Sequence, residues 1–250
     1  MKKIFSILFL FILMKPLQAQ ENKSPLWRPL VEGLQEAQYK TQDSKGSVIT
    51  LRLYKVDLKK YKLKVVQASE YQSNTLSVKD FVSKSNGVIG VNGGFFDTEF
   101  KPLGVIIREG LVLNPPKPVS WWSVFSIDKN DQPEVKHVSD FQPSPSYEMA
   151  IEAGPRLVLD SNPVTSKPNI STKTFLGISS DDQVVLGVTE ASVIDTNDLA
   201  NILSKEVKLK QALNLDGGSS TQLYAKVASY EKDQPGFSPV ANAVVVVPKR

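Results

Sequence analysis

The chain has 250 residues, a formal net charge of +4, a single histidine and no cysteine. Without cysteine there is no disulfide, no Cys-based zinc site, no thiol nucleophile and no lipid-modified cysteine. Three of the 30 basic residues, Lys2, Lys3 and Lys15, lie in the first nineteen positions, which hold no acid. Removing them leaves 27 basic against 26 acidic residues, with no electrostatic footprint for nucleic acid or an anionic membrane face.

Those nineteen residues have the build of a secretory signal peptide: Lys2 and Lys3, an apolar run from Ile4 to Met14, and a small-residue ending at Ala19. Eleven apolar residues are too few for a membrane span, which needs about 20. The expectation is an exported protein, periplasmic or secreted, with no transmembrane anchor after cleavage. Residues 20–46 are polar and weakly patterned, with Pro25 and Pro29 against an early helix, and read as a lead-in segment. The remaining 47–250 suit one domain.

Val48 to Asp57 and Tyr61 to Ser69 alternate as strands and predict a hairpin through Leu58, Lys59 and Lys60. Ser77 followed by Asp80, Phe81 and Val82 predicts a helix that Gly87 closes, delivering the chain into a strand at Val88 to Val91. Leu103 to Arg108 and Leu111 to Asn114 form a second predicted hairpin. In the predicted strand SWWSVFSID, Trp121 and Trp122 face opposite ways, one buried and the other open to a role such as stacking on a sugar. Further strands follow at MAIEAGPRLVLD, Phe175 to Ser179, Val184 to Thr189 and Pro239 to Val247. A last helix starts near Asp195 or Thr196, with Leu199, Ile202, Leu203 and Val207 on one side. Together these predict an α+β fold, a single domain on a mixed or antiparallel sheet with two or three helices.

Chemistry concentrates in two similar stretches. In QALNLDGGSSTQLY an apolar strand places Asn214 and Asp216 on one face and Leu213 and Leu215 on the other. Gly217 and Gly218 then open the backbone, and Ser219, Ser220 and Thr221 add three hydroxyls. In VIGVNGGFFD the same arrangement recurs with Asn92, Gly93, Gly94 and Asp97. Two strands ending alike predict two loops facing one cleft, although Asp-Gly is also a common plain turn. His137, as the only histidine, is poorly placed for a zinc site or a Ser-His-Asp triad, and a structural or surface role is expected. Neither a GxSxG elbow nor a Walker loop nor GxGxxG is present.

Four segments in order, NGGFF, GPRLV at Gly154 to Val158, KTFLGI at Lys173 to Ile178 and LNLDGGSST, make the chain resemble the phosphodiester glycosidase family from about Ser47 onward. The resemblance implies hydrolysis of a sugar-1-phosphodiester between the anomeric carbon and oxygen. A phosphate oxygen leaves as a weak base, so such a site can lack a histidine. It needs a carboxylate at the sugar carbon, cations for the phosphate and donors for the sugar. Asp216 is the first carboxylate, with Asp97, Glu152 and Glu190 competing as the second. Asn92, Asn214, the Gly-Gly amides and the hydroxyls including Thr174 would bind substrate, with Arg156 and Lys173 as cations. The family usually has Arg-Thr where this chain has Lys173-Thr174, a swap that keeps the charge and loses the bidentate fork. The implied partner is a sugar-phosphate or phosphoglycan. No cofactor is fixed by the resemblance, and a divalent cation on Asp216 and neighbouring oxygens stays open. So do two other functions: a non-catalytic glycan-binding protein of the cell envelope and a phosphodiesterase cutting on the phosphorus side.

Overall fold

The computed structural model describes residues 24–249, so the expected signal peptide lies outside the described residues. Among them, twenty strands form sheets of eight, five, five and two strands, and every paired strand runs antiparallel to its neighbour. Only two α-helices accompany them: α1, Val78–Lys84, and α2, Thr196–Lys205. Strand makes up 47% and helix 12%, so the fold is β-rich and the α+β expectation is corrected. The helices are too short to form a layer; each covers one face of a sheet.

The main core lies where the three large sheets meet. Leu176, Leu186 and Leu213 of the eight-stranded sheet pack with Ile89, Val91 and Val244 of one five-stranded sheet and with Ile106, Phe125 and Ile151 of the other. The outer face of the eight-stranded sheet is closed by α2, whose Leu199 and Leu203 pack on Leu157, Phe175 and Leu209. Similarly α1 sets Val78, Phe81 and Val82 on Val66, Ala243 and Val245. Sheets buried on both faces need apolar side chains at every position, which is why Asn242–Pro248 reads as an unbroken valine run instead of an alternation.

Both helices begin as the sequence predicts. The Ser77 hydroxyl accepts the Asp80 amide, and the Asp195 carboxylate accepts the Asn197 amide. Two expectations fail. Val48–Val56 and Tyr61–Gln67 are strands but not a hairpin, because the turn between them carries the chain from one sheet to another. The segment read as a lead-in contains the strands Arg28–Val31 and Leu34–Gln42. Its pattern is invisible to hydropathy because the buried positions change face, Leu34 and Glu36 on one and Ala37, Tyr39 and Thr41 on the other, and two of them are polar. Burying Glu36 requires compensation, and Arg52 supplies it at 2.8 Å.

Candidate active site

The strand Leu209–Asn214 runs between Thr174–Ser179 and Arg156–Leu159, third from one edge of the eight-stranded sheet. Leu213 and Leu215 point into the main core. Asn214 and Asp216 therefore turn to the face that carries α2, as the two-residue period requires. Across the sheet junction, Ile89–Asn92 ends beside the same turn. The amide of Asp216 donates to the Gly93 carbonyl at 3.1 Å, and the Asn92 side-chain amide donates to the Asp216 carbonyl at 2.7 Å. The two similar stretches, far apart in sequence, are joined side by side.

Beside Asp216 opens a cavity of about 770 Å³. One part of its wall is apolar: Phe95, Trp121 and Pro155. Trp121 is 53% exposed, whereas Trp122 is buried and stacks on Phe95 at 5.1 Å. The predicted division between the two tryptophans holds, although both precede the strand Ser123–Asp128. Another part is largely polar, made by residues 166–169, Ser171, Lys173 and Thr196, and the floor is Asn214 to Gly218.

The polar wall is fixed at both ends. Asn169 donates its amide to the Asp195 carboxylate at 3.0 Å, and Ser166 donates its amide to the Asn197 side chain at 2.8 Å. At the other end Gly218 donates its amide to the Thr172 carbonyl at 2.9 Å, and the Thr172 hydroxyl donates back to the Gly218 carbonyl.

Lys173 sits in this wall, 2% exposed. Its ammonium donates to the Asn169 carbonyl at 2.9 Å, the Asn169 side-chain oxygen at 2.7 Å and the Thr196 hydroxyl at 3.0 Å. All three acceptors are neutral. Burial pushes its pKa down to about 8, and the charge of Asp195 only partly offsets this. Lys167 lines the same wall, so two cations stand against the one nearby carboxylate, Asp195, and the wall is net positive.

Asp216 is the one carboxylate lining the cavity among the described residues. Its Oδ1 accepts the Gly217 amide at 2.9 Å. Burial raises its pKa above the usual carboxylate value, opposed by the Ser220 hydroxyl and the Gly217 amide.

The other predicted carboxylates are engaged elsewhere. Asp97 caps its own turn, accepting the amides of Glu99 and Lys101. Glu190 belongs to an ion-pair cluster with Arg52 and Lys232. Burial pushes its carboxyl up, but hydrogen bonds from Lys232 and Gln38 and the charge of Arg52 hold it below the usual range. Glu152 is 1% exposed and accepts the amides of Val105 at 2.8 Å and Lys117 at 3.0 Å. Its other oxygen is buried without a partner, and burial raises its pKa. Glu152 thus fastens two loops to the sheet. Glu152→Ala orphans both amides and is expected to cost about 3 kcal/mol in denaturant unfolding. Glu152→Gln, which keeps an acceptor, should cost less than half of that.

Among the predicted ligands, Asn92, Gly93, Gly94 and Thr174 hold the frame. Asn92 is fully buried; its oxygen accepts the Thr174 hydroxyl at 2.7 Å and the Gln222 amide at 3.1 Å. The Gly93 and Gly94 amides both go to Asn242, so neither points at a ligand. A Cβ on Gly93 would lie 2.0 Å from the Asn242 side-chain oxygen, and only glycine fits. Asn214 donates to the Gly154 carbonyl at 3.1 Å and the Leu215 carbonyl at 2.6 Å while lining the cavity. Arg156 pairs with Leu213 in register and lies outside the cavity lining, as do Ser219, Ser220 and Thr221. His137 is hydrogen-bonded to Ser139 and to the Ser120 carbonyl and does not line the cavity.

Sequence reasoning passed over Asn169, Thr196, Gln222 and Asn242. The first belongs to a twelve-residue run rich in Ser, Thr, Pro and Asn, SNPVTSKPNIST, between two of the motifs. A loop of that length was itself a signal. For a divalent cation the site offers one carboxylate among neutral oxygens. No group of three or more His, Cys, Asp or Glu able to hold a metal occurs among the described residues. A second groove of about 850 Å³, lined by four lysines together with Asp131 and Glu148, holds none of the predicted residues.

The fold has solved counterparts. The zebrafish N-acetylglucosamine-1-phosphodiester alpha-N-acetylglucosaminidase catalytic domain, auto-inhibited by its pro-peptide, superposes with a TM-score of 0.69 at 18% identity, over 89% of this chain and 85% of that one. A hypothetical protein from Synechocystis gives a TM-score of 0.68 at 13% identity, over 90% of this chain and 64% of that one. A protein of Burkholderia pseudomallei K96243 gives 0.55 at 11% identity, over 81% of this chain and 75% of that one. No curated protein matches the chain. Residues 85–247 match the phosphodiester glycosidase family, a span that contains both joined loops and the whole cavity lining, and the chain belongs to that family.

Proposed function

We propose that the protein hydrolyses the glycosidic bond of a sugar-1-phosphodiester in the cell envelope, with Asp216 as the carboxylate at the anomeric carbon. Membership of a family of hydrolases acting on phosphodiester-linked sugars supports the reaction class. The observation that carries the reading is one raised-pKa carboxylate between an aromatic wall and a cationic one. The sugar lies on Phe95 and Trp121, whose faces suit its apolar side, and the phosphodiester lies toward Lys173. Water adds to the anomeric carbon, giving its proton to Asp216, while the carbon–oxygen bond breaks and its electron pair leaves on the phosphate. A phosphate monoester anion leaves without protonation, so a second carboxylate is dispensable, unlike in most glycosidases. Direct attack by water predicts inversion at the anomeric carbon; retention would contradict the role of Asp216 as base and make it the nucleophile.

Incubation with a synthetic N-acetylglucosamine-1-phosphodiester tests the reading by release of free sugar. Binding of the diester without release at any pH or with any divalent cation would assign a recognition role instead.

Lys173 gives the reaction an alkaline limit. As pH rises through about 8 the ammonium loses its charge and activity should fall. Its contribution to stability has the opposite sign: the unfolded chain keeps this proton up to its ordinary value of 10.5, so stability from this group grows between about 8 and 10.5. Activity should therefore drop at pH 9 with no loss of melting temperature. In Lys173→Arg, whose charge persists, the fall at pH 8 should vanish.

A further inference from the structure

Phe237 is 95% exposed, yet its backbone is held firmly. The amides of Phe237 and Ser238 both donate to the Ser219 carbonyl, at 3.0 and 3.1 Å. The buried Gln222 side chain donates to the Ser238 carbonyl at 2.7 Å and accepts the Val78 amide at the start of α1. A Cβ on Gly236 would lie 2.4 Å from Gln222, so the loop seats directly on that side chain. Ser219 follows Gly218, the last cavity-lining residue of the Asp216 turn. Other apolar residues are exposed too, among them Leu111 and Ile170. Phe237 differs in being an aromatic ring on a loop bonded to the turn that carries the proposed catalytic carboxylate.

Resting on the function proposed above, we infer that Phe237 is a specificity-determining residue. It forms an outer subsite for the group on the far side of the phosphodiester, and that group is a carbohydrate. The sugar that is released occupies the cavity against Trp121. Phe237 lies outside that cavity, beyond Gly218, so what reaches it is the part of the substrate that the cavity leaves outside. An aromatic face presented to water by a fixed backbone stacks on a pyranose with little ordering cost. A small aglycone does not extend to it.

The test compares two diesters of N-acetylglucosamine-1-phosphate, one with a methyl aglycone and one with a trisaccharide. In Phe237→Ala the ratio of kcat/KM for the trisaccharide diester over that for the methyl diester should fall about tenfold, through KM, and Phe237→Trp should restore it. An unchanged ratio overturns the subsite. If neither diester is cleaved, the proposed function fails, and calorimetric binding of the two diesters to both proteins still decides the subsite. Weaker binding of the trisaccharide diester alone to Phe237→Ala supports it, and equal binding overturns it. Loss of binding to phosphatidylglycerol vesicles in Phe237→Ala, with the sugar ratio unaltered, overturns it in favour of a lipid contact.

Discussion

Asp216→Asn is expected to abolish sugar release, lowering kcat about a thousandfold, while raising the melting temperature at pH 7. The two effects share one cause. The carboxylate is held in a partly dehydrated wall, which raises its folded pKa above the ordinary 3.8. The unfolded chain ionises it more readily, so stability is lost as pH rises from about 3.8 through the folded value, and the penalty is complete above it. Asparagine carries no charge and can still accept the Gly217 amide. Its advantage in stability should therefore be full at pH 7 and disappear below the ordinary carboxyl pKa. A thermal melt of both proteins at pH 7 and pH 3.5 reads this directly. A lower melting temperature for the variant at pH 7 would mean that Asp216 is a structural cap and not a strained functional group.

Asn92→Ala carries the largest expected cost to the fold. The side chain joins the two glycine-bearing turns, and its loss leaves the Asp216 carbonyl, the Thr174 hydroxyl and the Gln222 amide without partners inside the protein. Three orphaned buried groups at roughly 1–3 kcal/mol each, partly relieved by relaxation, give about 4 kcal/mol. The denaturant midpoint should shift accordingly at unchanged slope. Thr174→Val removes a single donor while Asn92 keeps the Gln222 amide, and should cost about 1 kcal/mol. Similar costs for the two variants would show that the junction between the turns contributes little. Because Asn92 acts on Asp216 through its backbone, any Asn92→Ala protein that folds should also lose most of its kcat.

The positions of the strands were largely legible, and their partners less so. Leu213, Asn214, Leu215 and Asp216 alternate between faces as their pattern predicts, since a period of two survives any sheet arrangement. The turn at Leu58 to Lys60 looks like a hairpin in sequence, because nothing local distinguishes returning to the same sheet from crossing to another. Leu34–Gln42 was missed because its buried Glu36 is compensated by Arg52, a partner sixteen residues away. The helices were found at their caps but given too much weight, since short coverings of a sheet and a true helical layer begin with the same signals.

At the site, the pairing of the two Gly-Gly turns could be read from their likeness. The division of labour between them could not. Asn92 and Asn214 look equivalent in sequence, yet Asn92 is fully enclosed while Asn214 lines the cavity. Acids scattered along the chain also compete equally until their partners are known. Lys232 and Val105, which only the fold brings near, withdraw Glu190 and Glu152 from the cavity, and Asp97 is withdrawn by its own turn. Lys173 is legible as a cation, but only the fold shows that it is buried without a carboxylate in contact, so that its proton leaves near pH 8.

The central claim, attack on the sugar carbon with phosphate as the leaving group, is tested most directly in water enriched in heavy oxygen. Hydrolysis of an N-acetylglucosamine-1-phosphodiester should place the label on the anomeric hydroxyl of the released sugar and leave the phosphate monoester unlabelled. Label on the phosphate would show cleavage at phosphorus and contradict the role given to Asp216.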